Sequence, residues 1–149
     1  MPKRTTASRI EAFLRKDNWR FRKDPDDRGL FRMGFTVLSR PFELMIHDAA
    51  RQKALLFLVT PIVFISESQR RDFAELLSKL NYGLLLGAYE MDPADGEVRL
   101  KLAVPTDKAA VTDQQIRHCI AALLNVLAHD YAEISDFVLR EQRKKKSAR

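Results

Sequence analysis

The hydrophobic period of this sequence changes four times along its length, and that pattern limits the architectures open to it more than any other feature. Ile10, Phe13 and Leu14 recur with helical spacing. From Leu30 to Leu38 the period becomes two, with Phe31, Met33, Phe35 and Val37 on one side and Arg32, Gly34 and Thr36 on the other. Past Pro41, Phe42, Leu44 and Ile46 alternate with Glu43, Met45 and His47. Ala54 to Val59 is continuously apolar, which predicts a central strand covered on both faces, and Thr60-Pro61 ends or bends it. Phe73, Leu76, Leu77 and Leu80 restore the helical period. Leu84 to Met91 and Glu97 to Val104 read as two more strands, and Ile116, Ile120, Leu123, Leu127, Tyr131, Ile134 and Val138 mark a long last helix. The order is α-β-β-β-α-β-β-α. It predicts an α+β fold in which an antiparallel sheet of about five strands carries three helices, as one domain over residues 8–139.

Local signals place the boundaries. Ser8 and Glu11, Ser66 and Gln69, and Thr112 and Gln115 each have capping-box spacing. The first helix should end near Asn18-Trp19, and residues 23–29 are turn formers. Gly83 is placed to be a left-handed helix cap. Asp92-Pro93-Ala94-Asp95-Gly96 has the chemistry of a hairpin turn.

A chain of 149 residues with 46% apolar content can build a core without covalent staples. Cys119 is the sole cysteine, so no intramolecular disulfide forms and a reducing, cytoplasmic setting is expected. Met1 to Thr6 lacks a secretory signal core, and the longest apolar stretch, Ala54–Ile65, is too short and too interrupted for a transmembrane segment. The net charge of +6 sits at the ends. From Arg140 onward six basic residues and one acid carry +5, and Lys3 and Arg4 add +2, so residues 5–139 are close to neutral at −1. Residues 1–7 and 140–149 read as flexible basic termini.

Each residue pattern that could carry chemistry has a structural explanation. The acidic turn around Asp92 and Asp95 does not match the ligand order of a calcium loop. His118 and His129 are eleven residues apart on one helix and cannot meet at one metal ion, and His47 stands alone on a strand. Cys119 follows His118 directly, and adjacent helical residues do not face each other. There is no Gly-x-Ser-x-Gly elbow and no phosphate-cradling glycine loop. No catalytic, metal or cofactor residue is assigned, and an unrecognised enzyme ranks last among the readings.

Two surfaces remain as candidates. Met45, His47, Leu85 and Tyr89 occupy strand phases that would leave an apolar face for a partner or a second copy, unless the last helix covers them. Arg143, Lys144, Lys145 and Lys146 could contact a polyanion such as nucleic acid, or could simply be a solvated helix end.

The stretch from Leu80 to Arg99, with an Asn-terminated helix, a Gly-containing apolar strand and an Asp-x-x-Asp-Gly-Glu turn, resembles the central signature of the YbjN-type family. Val104-Pro105 and Thr112–Ile116 resemble that family's entry into its last helix. These are small bacterial proteins described as sensory transduction regulators. The resemblance implies a fold like that of type III secretion chaperones, which are usually dimeric and bind extended segments of partner proteins. It supplies no catalytic residues. The basic tail is not part of the family pattern, and effector chaperones are commonly acidic. The expectation is a homodimeric, non-enzymatic protein-binding module with chaperone-like or regulatory duty. A nucleic-acid-associated regulator is the alternative.

Overall fold

Thr5, not Ser8, starts the first helix. In the computed structural model, which describes residues 5–148, the Thr5 hydroxyl accepts the Ser8 N–H at 3.2 Å at the head of α1 (Thr6–Lys16). Thr5 precedes Ser8 by the same three residues that separate Ser8 from Glu11, so an equivalent hydroxyl takes the cap one turn earlier. Glu11 then pairs with Arg15 at 2.8 Å and Lys23 at 2.6 Å. The helix ends where expected. Asn18 turns left-handed at φ 58°, and the Trp19 N–H returns to the Leu14 carbonyl at 2.9 Å in a Schellman closure.

Six strands form one antiparallel sheet: β1 (Arg22–Lys23), β2 (Leu30–Val37), β3 (Arg40–Ala49), β4 (Ala54–Phe64), β5 (Ala88–Met91) and β6 (Glu97–Pro105). Their spatial order is β1-β2-β3-β4-β6-β5. The sixth strand, β1, is two residues long and too short for any periodicity to announce. β4 runs past the cis Thr60–Pro61 bond, with a register irregularity between Val59 and Val63, so this dipeptide bends the strand rather than ending it. The helices α2 (Arg70–Tyr82) and α3 (Asp113–Ser147) complete the fold.

Register explains which face is buried. Met33, Leu44, Val59, Leu100 and Tyr89 lie in one row across the sheet, and Phe31, Ile46, Phe57 and Leu102 in the next. All are buried, and they pack with Ile10, Phe13 and Leu14 of α1, Phe73, Leu77 and Leu80 of α2, and Ile116, Ile120, Leu123 and Leu127 of α3. A fully buried side chain such as Phe57 contributes about 1.5–3 kcal/mol relative to exposure. The alternate phase carries Leu30, Arg32, Met45, His47, Leu56, Leu58 and Lys101, all only half-buried. The helices therefore cover one face. The continuous apolar run of β4 does not signal two covered faces: Leu55, Phe57 and Val59 are fully buried, whereas Leu56 and Leu58 are partly exposed.

Two boundary signals resolve differently from the sequence reading. Ser66 heads a short 3₁₀ turn, Glu67–Gln69, and its hydroxyl donates to the Gln69 side chain at 2.9 Å instead of capping backbone. Gly83 is right-handed at φ −86°, because α2 ends by tightening: Gly83 and Leu84 N–H groups return to the Leu80 and Asn81 carbonyls three residues back. The third signal holds in full. Thr112 and Gln115 form a reciprocal capping box at the head of α3. That helix continues to Ser147, through residues the charge run had assigned to a flexible tail.

Candidate functional site

The two ends of β5 are built differently, and the open end borders a groove that is the candidate site. At its C-terminal end the chain enters the acidic turn. Asp92 Oδ1 accepts the Ala94 N–H and Asp95 Oδ1 the Glu97 N–H, each at 2.8 Å. The Arg70 guanidinium donates to the Ile65 and Pro93 carbonyls at 3.2 and 2.8 Å. Gly96 sits at φ +80°, where an added Cβ would lie 2.0 Å from the Ile65 carbonyl oxygen. The acids of this turn are thus occupied in turn geometry, and no group of three or more metal-ligating side chains converges among the described residues.

At its N-terminal end β5 begins only at Ala88, so residues 84–87 are a loop and not the first half of a strand. Gly87 makes the crossing at φ +81°, with space for a Cβ limited by the Lys101 carbonyl at 3.1 Å. β6 runs on to Pro105, so beyond Lys101 no strand pairs with its outer side. The Thr106 N–H donates to the Lys53 carbonyl at 2.8 Å. Alternation along an antiparallel ladder then turns the N–H and C=O of Ala103 away from β4 and toward this vacant edge.

A groove of about 520 Å³ lies along that edge, between the 85–87 loop, β6 and the first turns of α3. Leu85 and Leu86 form its lip at 95% and 39% exposure, and Tyr82, the last residue of α2, is 95% exposed. Leu102, Val104, His118 and Cys119 line the wall and floor. Little unpaired charge faces it. Lys101 is bound to Glu90, and the Thr112 and Gln115 side chains serve the helix cap. Burial raises the Cys119 thiol, so the group is a neutral thiol packed at the core boundary and not an activated nucleophile.

The surface candidates read from the sequence separate into three places. Met45 and His47 are on the uncovered sheet face, where an Arg32 nitrogen lies 2.7 Å from the Met45 sulfur and His47 Nε2 pairs with Asp27 at 2.9 Å. Leu85 is at the groove. Tyr89 is not on a surface at all: it is 3% exposed in the core, opposite Leu100. Its phase cannot be counted through Leu85 and Gly87, because those residues are not in the strand. Counting across the hairpin from the alternating Val98-Leu100-Leu102 would have placed it correctly. The Tyr89 hydroxyl faces Asp130, a buried acid whose other oxygen lies 2.7 Å from His129 Nδ1. Burial first, and the Asp130 charge second, hold the Tyr89 phenol far above its ordinary range. Arg143, Lys144, Lys145 and Lys146 all lie on the exposed last turns of α3. The edge at Ala103 and the exposed Tyr82 and Leu86 went unread in the sequence, although Leu84-Leu85-Leu86 ahead of a lone glycine was an available signal.

Three helices on one face of an antiparallel sheet make a small α+β domain whose fold is like that of type III secretion chaperones. The chain belongs to the YbjN family, described as "Putative bacterial sensory transduction regulator", whose model matches residues 6–136. Similar solved structures share the fold at low identity. A crystal structure of YbjN from E. coli, described as a putative transcription regulator, is 14% identical with a TM-score of 0.58, covering 83% of this chain and 90% of its own. An uncharacterized protein from Methanothermobacter thermautotrophicus is 11% identical with a TM-score of 0.58, covering 89% and 98%. The HopA1-SchA chaperone-effector complex contains a chain 19% identical with a TM-score of 0.50, covering 79% and 86%. No curated protein matches the sequence significantly. No helix among the described residues is long and apolar enough to cross a membrane.

Proposed function

We propose that this chain is a non-catalytic binding module that receives an extended apolar segment of another protein in the groove beside β6. The observation that carries this reading is the late start of β5, at Ala88. It leaves the Ala103 backbone pair facing outward next to Leu85, Leu86 and the wall formed by Leu102 and Val104. An incoming strand would satisfy that backbone pair and alternate its side chains between groove and solvent, the general mode of strand addition. Membership of a family described as regulatory, and a fold shared with a chain of a chaperone-effector complex, support the same reading.

An array of immobilised ten-residue peptides tests it. Wild type should retain peptides with alternating apolar residues, with amide resonance shifts at Leu86, Ala103 and Cys119. The double variant Leu85→Asp, Leu86→Asp should lose at least ten-fold in affinity. Ala103→Pro, which removes the outward N–H and spares the β4 ladder, should lose a similar amount. An unchanged retention pattern in both variants would refute the groove as the site. A doubling of solution mass that both variants abolish would make the occupant a second copy of this chain.

A further inference from the structure

We propose that the last turns of α3 form a phosphate-contacting arm for double-stranded nucleic acid. Three observations carry it.

From Gln142 to Ser147 every residue is exposed, yet the segment is helical, so its cations are held on a rod and not on a coil. Arg143, Lys144, Lys145 and Lys146 are consecutive, and at about 100° per residue they point to all sides of the helix. Lys144 is bound to Glu141 at 2.8 Å, whereas Arg143, Lys145 and Lys146 have no acidic partner among the described residues.

This geometry selects among polyanions. A helix that lies on a lipid surface needs an apolar face opposite its cations, and this stretch has none, since its only uncharged residues past Leu139 are Gln142, Ser147 and Ala148. A duplex surrounds an inserted helix with phosphates on both walls of a groove about 12 Å wide, which suits charge on all sides. The folded body is close to neutral, so the arm would supply most of the attraction, and the binding would be independent of base sequence.

The experiment measures binding of the full chain to a 24-base-pair duplex by fluorescence anisotropy from 50 to 200 mM salt. Beside it stand vesicles of phosphatidylcholine with phosphatidylserine, and polyglutamate. Four phosphate contacts predict a slope of log affinity against log salt of about −3.6, a weakening on the order of 100-fold across that range. The triple variant Arg143→Gln, Lys145→Gln, Lys146→Gln should reduce the slope by about 3, while Lys145→Arg with Lys146→Arg should keep it. Far-ultraviolet circular dichroism checks that the helix persists in each. No duplex binding at 50 mM salt, duplex binding by the triple variant equal to wild type, or tighter binding to vesicles or polyglutamate than to duplex would each overturn the proposal.

Discussion

β5 has four residues, and its two ends could hardly differ more. At Met91 the chain enters a turn in which two aspartates, an arginine and a glycine without room for a side chain all fix one path. At Ala88 it leaves a loop whose leucine lip is bare to solvent. The outer side of β5 is closed by other means: the Asn81 amide both accepts the Tyr89 N–H at 2.7 Å and donates to the Tyr89 carbonyl at 3.0 Å, standing in for a neighbouring strand. The acidic turn is scaffold, and Leu85 and Leu86 are the surface that solvent does not favour.

That contrast can be broken. The largest effect should come from Gly96→Ala, which combines a positive φ with a backbone clash: a loss of about 3–5 kcal/mol, read as a lowered urea midpoint. Asn81→Ala should cost about 2 kcal/mol, since it strips two backbone groups of a part-buried strand edge of their partners. It should also increase self-association, measured by sedimentation, because the edge is then open. Leu85→Asp should change stability by less than about 0.5 kcal/mol, because Leu85 touches water on nearly all sides. A cost as large as that of Asn81→Ala would mean that the loop is scaffold as well.

A pH titration sharpens the comparison from beneath β5. The folded state holds the Tyr89 proton more tightly than the unfolded state does. Its stabilising effect is therefore complete below about pH 10 and is lost as the pH rises above that value. Denaturant midpoints of wild type should fall on the alkaline side, and those of Tyr89→Phe should fall less. Equal alkaline slopes would show that Tyr89 is not shielded as its position requires.

The sequence disclosed the fold wherever one face of an element is buried and the other wet. Phe42-Leu44-Ile46 and Val98-Leu100-Leu102 alternate because the helices cover only one side. It misled where a short element is set by its neighbours. Arg22–Lys23 pairs with Phe31 and Arg32 only because β2 offers an edge. Leu84 to Gly87 has strand composition but is pulled out of the ladder by the turn closing α2 and by the positive φ of Gly87. Apart from Leu85, the groove went unread for the same reason, since it is made by the absence of a strand that composition would have supplied.

α3 has no glycine and no proline between Asp113 and Ser147. Cys119 at the groove and Lys145 near the far end are 26 positions apart on one unbroken helix, a separation of about 39 Å. The rod therefore acts as a ruler. Anything seated beside β6 and anything drawn to the cations would be held at a set spacing, too far apart to touch and too stiffly joined to drift.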